Sequence, residues 1–201
     1  MESTIEQNCP ICHSEAGLKL IVHSSEIPYF GEHTEMTLVC DSCGWRHTDF
    51  IPAEGKKASA WSMKISERDH MNTRVVRSSS CTVRIVELGL EVEPGDNATG
   101  YISNIEGVLN RFEDAIGIIL RSAKLEGEEE IDTVEACQEL ISKLNIIKNG
   151  EEVAEILLLD PMGHSQILHK DAKNWDLSDE EIANLETGPQ IPVIDTSDLI
   201  E

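Results

Sequence analysis

Two short motifs, Cys9-Pro10-Ile11-Cys12 and Cys40-Asp41-Ser42-Cys43, decide how the N-terminal part of the chain folds. Each C-x-x-C motif fits a tight turn that aims two thiolates at one point. Two such turns supply the four soft ligands of a tetrahedral zinc ion. Because four ligands close the coordination shell, we expect one structural zinc ion with no open position for water. Gly44 follows the second motif and suits the unusual φ that such a turn requires.

Other interpretations of the cysteines and histidines stay open at this point. The C-x-x-C pairs could be redox-active, but no βαβ pattern surrounds either of them. Three nearby histidines could compete as ligands, although four thiolates already suffice: His13, His33 and His47. The two remaining cysteines, Cys81 and Cys137, are expected to be small buried hydrophobes.

The finger also needs strands to carry its turns. Stretches 18–22 and 36–39 are rich in strand formers and are predicted to be strands. The 27 residues between the two motifs exceed the usual spacing of zinc patterns. The excess, residues 22–35, is therefore expected to form an extra loop or hairpin.

Residues 44–94 alternate between apolar and polar side chains, which indicates a β segment. Strands are predicted at 60–65 and 73–77. A third is predicted to run from 82–85 into 88–92, with Gly89 marking a bulge.

The next block changes to helical periodicity. Ser103-Asn104-Ile105-Glu106 matches a capping box, which predicts a helix over 104–124. Its apolar stripe consists of Ile105, Val108, Leu109, Phe112, Ile116, Ile119 and Ala123. A second helix is predicted from Asp132 to Ile147, ending at Asn149-Gly150. This hairpin could recruit a partner helix, but packing on the neighbouring sheet is the commoner use of such a stripe.

After the hairpin, 153–159 and 165–168 are predicted strands, joined by the turn Asp160-Pro161-Met162-Gly163. They should pair with the earlier β block, so that the helices are an insertion in one sheet system. A short helix capped by Ser178 is predicted in the tail. The predicted domains are a zinc ribbon at 1–52, a β domain at 53–170 with the hairpin insertion at about 103–149, and an acidic tail at 171–201.

The charge is strongly negative and uneven. The chain of 201 residues has a net charge of −22. Residues 1–86 carry 9 basic and 11 acidic side chains, whereas residues 87–201 carry 7 and 27. This acidity disfavours binding to nucleic acid and to anionic membranes, and leaves a solvated face or a surface for a basic partner. No apolar run spans a bilayer and the N-terminus lacks a signal pattern, so we expect a cytoplasmic protein.

Sequence motifs of catalysis are not found. The chain has neither G-x-S-x-G, H-E-x-x-H nor a phosphate-binding G-x-x-x-x-G-K-[ST]. Asp160 and His164 flank a turn, where a hairpin-capping role is expected for them, and no motif places a base beside the run Ser78-Ser79-Ser80-Cys81. We therefore predict that the protein is not an enzyme.

A series of motifs resembles one known family. The first cysteine pair is followed by Glu26-Ile27-Pro28-Tyr29-Phe30-Gly31 and then by the second pair with Gly44-Trp45-Arg46. Further matches lie in order along residues 8–168: Asn72-Thr73-Arg74-Val75-Val76-Arg77-Ser78, Val86-Glu87-Leu88, Leu90-Glu91-Val92, Ile105-Glu106-Gly107-Val108-Leu109 and Leu159-Asp160-Pro161-Met162-Gly163-His164-Ser165. The combination resembles the ZPR-type zinc-finger family.

The resemblance implies an α+β fold. It consists of a four-cysteine zinc ribbon joined to a β domain of double-stranded β-helix type with an inserted helical hairpin. The chain holds one copy of this module and is similar to the single-module archaeal form, whereas eukaryotic members carry the module twice. The zinc ligands implied are Cys9, Cys12, Cys40 and Cys43.

The resemblance also implies a protein partner, the GTP-binding translation elongation factor of the 1-alpha class, which eukaryotic members help to fold. The stretch Glu26, Ile27, Pro28, Tyr29, Phe30 and Gly31 is the candidate contact surface. Alternatively, Ile27, Tyr29 and Phe30 close over the small core of the finger. A zinc-ribbon accessory factor that binds nucleic acid in translation or transcription is the other functional hypothesis. It would use Arg46, Lys56, Lys57, Lys64, Arg68, Arg74 and Arg77.

Overall fold

The computed structural model describes residues 2–27, 31–52, 57–95, 97–126 and 130–186. In this part of the chain the strands are β1 Glu2–Ile5, β2 Leu18–Ile27, β3 Gly31–Val39, β4 Arg46–Pro52, β5 Ser59–Ile65, β6 Arg74–Arg77, β7 Thr82–Ile85, β8 Leu90–Val92, β9 Tyr101–Asn104, β10 Ala154–Asp160, β11 Gln166–Leu168 and β12 Lys173–Asp176. The helices are α1 Ile105–Glu126, α2 Ile131–Lys148 and α3 Asp179–Ala183.

The N-terminal module is one antiparallel sheet in the order β1-β2-β3-β4. The predicted strands at 18–22 and 36–39 are confirmed as parts of β2 and β3. Both strands run on beyond the expected bounds and pair with each other as far as Ile27 and Gly31. The extra residues between the cysteine motifs are therefore used to lengthen a hairpin.

The second module contains two further antiparallel sheets, β12-β5-β10-β7-β8 and β11-β6-β9. As predicted, the strands after the helical hairpin return to the earlier β block. β10 lies between β5 and β7, and β11 pairs with β6. The hairpin is thus an insertion between β9 and β10.

One hydrophobic core joins these two sheets to the helices. Met63 of β5, Val75 of β6, Leu109 of α1 and Leu144 of α2 belong to the same buried cluster. The prediction that the apolar stripe packs on the sheet is therefore confirmed for most of its length. Ile119 is an exception, because it is 52% exposed. At this level of the helix the half-buried Leu120 packs against the core instead, and Ala123 is buried one turn later.

The predicted continuous third strand is wrong. Residues Val86–Leu88 form a 3-10 turn, and β8 folds back antiparallel on β7. Gly89 has φ +60° and closes this turn in the left-handed conformation, so it is the corner of a hairpin and no bulge.

The start of α1 also differs from the prediction. The side chain of Asn104 accepts the hydrogen bond from the Gly107 amide at 2.8 Å, so Asn104 caps the helix in place of Ser103. Ser103 is held in β9, where it pairs with Val75. A Cβ on Gly107 would lie 2.2 Å from the Ser103 hydroxyl and 3.1 Å from the capping oxygen of Asn104, so a larger residue at this position would displace one of them.

The tail contains one element that the sequence did not predict. β12 extends the five-stranded sheet by pairing with β5. The predicted short helix is confirmed as α3, and Ser178 and Glu181 form its capping box. The domain boundaries at 52 and 170 stay a prediction.

Candidate metal centre

The two cysteine turns have the same backbone design. The His13 amide donates to the Cys9 carbonyl at 2.9 Å, and the Gly44 amide donates to the Cys40 carbonyl at 2.8 Å. Both donors have positive φ, 55° at His13 and 76° at Gly44. His13 therefore holds the backbone position that Gly44 holds in the other turn, a conformation that histidine adopts more readily than bulky or β-branched residues do.

The turns bring four sulfur atoms together. The Sγ atoms of Cys9 and Cys43 are 3.7 Å apart, and those of Cys12 and Cys40 are 3.6 Å apart. Two sulfur ligands of one tetrahedral zinc ion are about 3.8 Å apart for Zn–S bonds of about 2.3 Å. All four ligand atoms lie within 4.8 Å of one another, so the set fits zinc without rearrangement of the backbone.

The two cysteines of each turn have different surroundings. Cys9 and Cys40 are buried, whereas Cys12 and Cys43 are exposed. Cys9 and Cys40 form the core of the finger together with Leu18, Leu20 and Leu38. The metal centre is therefore part of the core, and the exposed pair faces outward.

The thiols influence one another electrostatically. A backbone hydrogen bond from Cys43 lowers the pKa of Cys40 to about 6. A backbone hydrogen bond from Trp45 lowers the pKa of Cys43. Burial and the neighbouring sulfur atoms outweigh it and raise this pKa to about 12. Negative charges on neighbouring sulfur atoms disfavour one another. A divalent ion supplies the positive charge that lets all four deprotonate.

Two of the histidines that could have competed as ligands, His13 and His47, do not join the cysteine cluster. Among the described residues, only the four cysteines form the cluster in the finger. The His47 ring is buried and stacks on Trp45 with ring centroids 5.9 Å apart. Burial lowers the pKa of His47, and neither ring nitrogen has a hydrogen-bond partner in the described part of the chain. The side chain of His33 lies outside the described residues.

Cys81 and Cys137 are buried in the core of the second module, as predicted. Burial raises the pKa of the Cys81 thiol to about 12, so this sulfur is not a ready nucleophile.

The serine run beside Cys81 is the main feature that sequence reasoning missed. The hydroxyls of Ser78 and Ser80 donate to the Asp160 carboxylate at 2.8 and 2.7 Å, and Ser165 donates to it at 2.6 Å. Asp160 also accepts from the Met162 amide, which is the hairpin-capping role expected for it. Spacing along the chain gave no signal, because the serine run and Asp160 are about 80 residues apart.

Ser79 connects the finger to the second module. Its amide and its hydroxyl both donate to Asp49 of β4, at 3.0 and 2.6 Å. Nearby, the Gly100 amide donates to the Thr48 carbonyl at 2.8 Å. Asp49 and Ser79 are both buried. The finger is therefore docked through a buried carboxylate.

The two ends of the predicted contact stretch belong to the β2–β3 hairpin. The backbones of Glu26 and Ile27 end β2, and Gly31 begins β3. Pro28, Tyr29 and Phe30 lie outside the described residues.

One of the basic residues considered for nucleic-acid binding is not available at the surface. Arg77 is buried, and its guanidinium donates to the carbonyls of Cys81 and Thr99. It therefore serves the core of the β domain.

Two family models match the chain. The ZPR1 zinc-finger domain matches residues 3–57, and the ZPR1 jelly-roll domain matches residues 69–186. The proximity of the four cysteines and the zinc-finger match together make them a zinc-binding site, with one structural ion. The jelly-roll match also confirms the expected fold class.

Several curated proteins are similar to the chain. A ZPR1-like protein of Methanocaldococcus jannaschii is 39% identical, over 94% of this chain and 92% of that protein. A ZPR1-like protein of Pyrococcus horikoshii is 38% identical, over 92% and 82%. The protein named zinc finger chaperone zpr1 of Schizosaccharomyces pombe is 29% identical, over 86% of this chain and 36% of its own length. No helix in the described ranges is long and apolar enough to cross a membrane.

Proposed function

The chain belongs to the ZPR1 zinc-finger family, and on this premise we propose that it binds the GTP-carrying translation elongation factor of the 1-alpha class and assists its folding. The observation that carries the proposal is the match to a family of zinc-finger proteins, not a known enzyme family, in which one relative is named a chaperone. We place this activity in the cytoplasm, where a reducing environment keeps the four thiols available for zinc.

The hairpin of the finger suits a partner that is not fully folded. β1 covers β2 only along Leu18–Ile21. Farther out, the stretch His23–Ile27 pairs, within the described residues, with β3 alone. Such a strand edge offers backbone donors and acceptors to an extended segment of a client. Tyr29 and Phe30 follow directly in sequence and supply aromatic side chains of the kind that anchor interfaces.

The exposed side of the metal centre adds a second contact region. Ile11, in the first cysteine turn, is 52% exposed. It lines a shallow hollow of about 410 Å³ together with Trp45 and Asn97. Zinc holds both turns in place, so this apolar surface is preorganised for binding.

The acidic half supplies long-range attraction to a basic client. Residues 87–201 hold 27 of the 38 acidic side chains. Two basic side chains of the helical hairpin form salt bridges within it, Lys143 with Glu139 and Lys148 with Glu113. Charge of this kind raises the rate of encounter more than the affinity.

The proposal is tested by capture with purified components. The immobilised chain is mixed with the matched elongation factor, natively folded or diluted from denaturant, with and without GTP. We expect capture of the factor and an increased yield of its folded form. Failure to capture the factor in every state would refute the proposal.

A variant pair tests the contact surface. Tyr29→Ser with Phe30→Ser should weaken capture at least about tenfold, as loss of aromatic anchors does, and leave zinc content and thermal stability unchanged. The control is Ser24→Ala with Ser25→Ala, two exposed positions on β2 of the same hairpin. An equal loss of thermal stability in the aromatic variant would show instead that the two rings close the finger core.

The nucleic-acid hypothesis has less support. The acidity of the chain opposes it, and Arg77 is buried. RNA binding by the purified chain that weakens steeply with salt would favour it over the elongation factor.

A further inference from the structure

A large cavity among the described residues lies in the second module, away from the zinc finger. Its volume is about 840 Å³. Its walls include Trp61 of β5, the 3-10 turn Arg68–Asn72 and the segment 169–171 after β11. The sheets bring these parts together, because β11 pairs with β6 while β12 pairs with β5. The segment between β11 and β12 must therefore cross beside the turn between β5 and β6.

Three metal-binding side chains meet in this cavity. His70 comes from the 3-10 turn, and His169 and Asp171 come from the crossing segment. One ligand atom from each lies within 4.8 Å of the others. The two imidazole rings meet edge to face with centroids 5.1 Å apart, and His70 is only 8% exposed. The rings are thus held in place before any ligand arrives.

The hydrogen bonds define which nitrogen carries a proton. His70 Nδ1 accepts from the Ser66 amide, and His169 Nδ1 accepts from the Asp171 amide, both at 3.2 Å. Each neutral ring therefore has its lone pair on Nδ1 and its proton on Nε2. At His169 this lone pair lies 3.6 Å from Asp171 Oδ2, which is also an acceptor. Two acceptors side by side are stabilised by a cation that both can bind.

We propose that His70, His169 and Asp171 bind a divalent transition-metal ion as a second metal site, with Glu67 as an additional carboxylate donor. Glu67 Oε1 lies 3.7 Å from His70 Nε2. The nitrogen–oxygen separations of 3.6 and 3.7 Å are close to the about 3.3 Å between two ligands of a tetrahedral zinc ion. Ligation through Nε2 requires the His70 proton to move to Nδ1, which gives up one hydrogen bond from Ser66. Ligation through His169 Nδ1 likewise gives up the hydrogen bond from the Asp171 amide.

The donor set selects the class of ion. Two imidazoles with carboxylates suit zinc and its first-row neighbours, whereas magnesium and calcium prefer oxygen ligands alone. Unlike the four-thiolate centre, this site opens into a cavity, so a coordination position remains for water or for an anionic ligand.

Zinc stoichiometry on the full chain tests the proposal. Equilibrium dialysis against zinc, followed by elemental analysis, should give two ions per chain, one of them readily removed by a mild chelator. His169→Ala should remove that labile ion and keep the other. His23→Ala is the matched control, since His23 is an exposed histidine on β2, and should keep both. One ion per chain at saturation, or a labile ion that survives in His169→Ala, would overturn the proposal.

Cobalt distinguishes the two sites by their ligands. The first equivalent of Co²⁺ should show thiolate-to-metal charge transfer, and the second should add only the weaker bands of nitrogen and oxygen ligation. Asp171→Asn changes an exposed position, where misfolding is not expected. It should weaken binding of the second Co²⁺ ion at least about tenfold. Additional thiolate charge transfer with the second equivalent would assign it to Cys81 or Cys137 and refute the site.

Discussion

The two modules of this protein, the zinc finger and the jelly-roll module that follows it, are stabilised in different ways. The core of the finger contains five buried hydrophobic residues among those described, and two of them are the zinc ligands Cys9 and Cys40. The main core cluster of the second module contains nineteen, most of them from two sheets and two helices. A small sheet cannot bury enough apolar surface to fold alone, so the finger depends on the metal where the larger module depends on burial.

The largest expected effect comes from breaking the metal centre. Cys40→Ser with Cys43→Ser should abolish zinc binding and unfold the finger, because structural zinc contributes on the order of 10 kcal/mol to folding. The second module should keep its helical circular dichroism. Elemental analysis and thermal melting measure the two effects.

The control for this prediction is Cys137→Ala, which removes a buried cysteine outside the metal centre. It should lower the melting temperature of the second module and leave the zinc content unchanged. Full zinc in the double serine variant would contradict the four-thiolate assignment.

The next effect concerns the connection between the modules. Asp49→Ala leaves the buried amide and hydroxyl of Ser79 without this acceptor, which should cost about 1.5–3 kcal/mol. The finger and the second module should then melt in two separate transitions. Glu6→Ala removes the same charge from an exposed position and should leave the melting profile unchanged. Identical profiles for the two variants would show that the modules do not depend on this link.

A smaller effect is expected at the entrance of α1. Gly107→Ala should destabilise the second module by about 1 kcal/mol or more, although alanine normally stabilises a helix over glycine by about that amount. The added Cβ would collide with the Ser103 hydroxyl and disturb the Asn104 cap. Gly117→Ala in the same helix meets only the end of Arg121 at 3.4 Å and should be neutral or stabilising. Chemical denaturation measures both, and a stabilised Gly107→Ala would contradict the cap.

The smallest effect is a pH dependence of the finger. Burial lowers the pKa of His47, so below about pH 6.5 the unfolded chain takes up a proton that the folded chain resists. Stability should therefore fall as the pH drops from 7.5 to 6, by at most about 1.4 kcal/mol per pH unit for one proton. The stability of the His47→Phe variant, which keeps a ring beside Trp45, should fall less steeply over the same pH range. Stability is measured at each pH together with the zinc content. An equal pH dependence of stability in the unchanged protein and in His47→Phe would contradict the prediction.

Most features that the sequence predicted have a local cause, although the return of β10 and β11 to the earlier β block was also expected. The cysteine turns need only four residues each, and both long helices follow from apolar spacing within one element. β1, β4, β9 and β12 were missed because each is defined by its pairing with another strand and not by a strong pattern of its own. Gly89 and Asn104 were misjudged because tertiary pairing of the neighbouring strands decides their geometry.

The same distinction between local and long-range causes applies to the zinc centre and the buried polar contacts. The zinc centre was predictable because chemistry and spacing coincide within each motif. The acceptors of Ser78, Ser79 and Ser80 were not, because Asp49 and Asp160 lie far from them along the chain. The same holds for His70 and His169, which come together only when β6 pairs with β11 and β5 with β12.

The position of β10 has a consequence for the order of folding. Ile156 pairs with Met63 on one side and with Ile85 on the other, so the middle of the five-stranded sheet is filled by a strand that follows the whole helical hairpin. During synthesis β5 and β7 must wait for α1 and α2 to emerge before either gains this neighbour. The finger has no such delay, because all of its ligands precede β5. Long-range pairing of this kind slows folding and leaves strand edges exposed meanwhile. We therefore expect the finger to bind zinc on the nascent chain while the jelly roll is still incomplete.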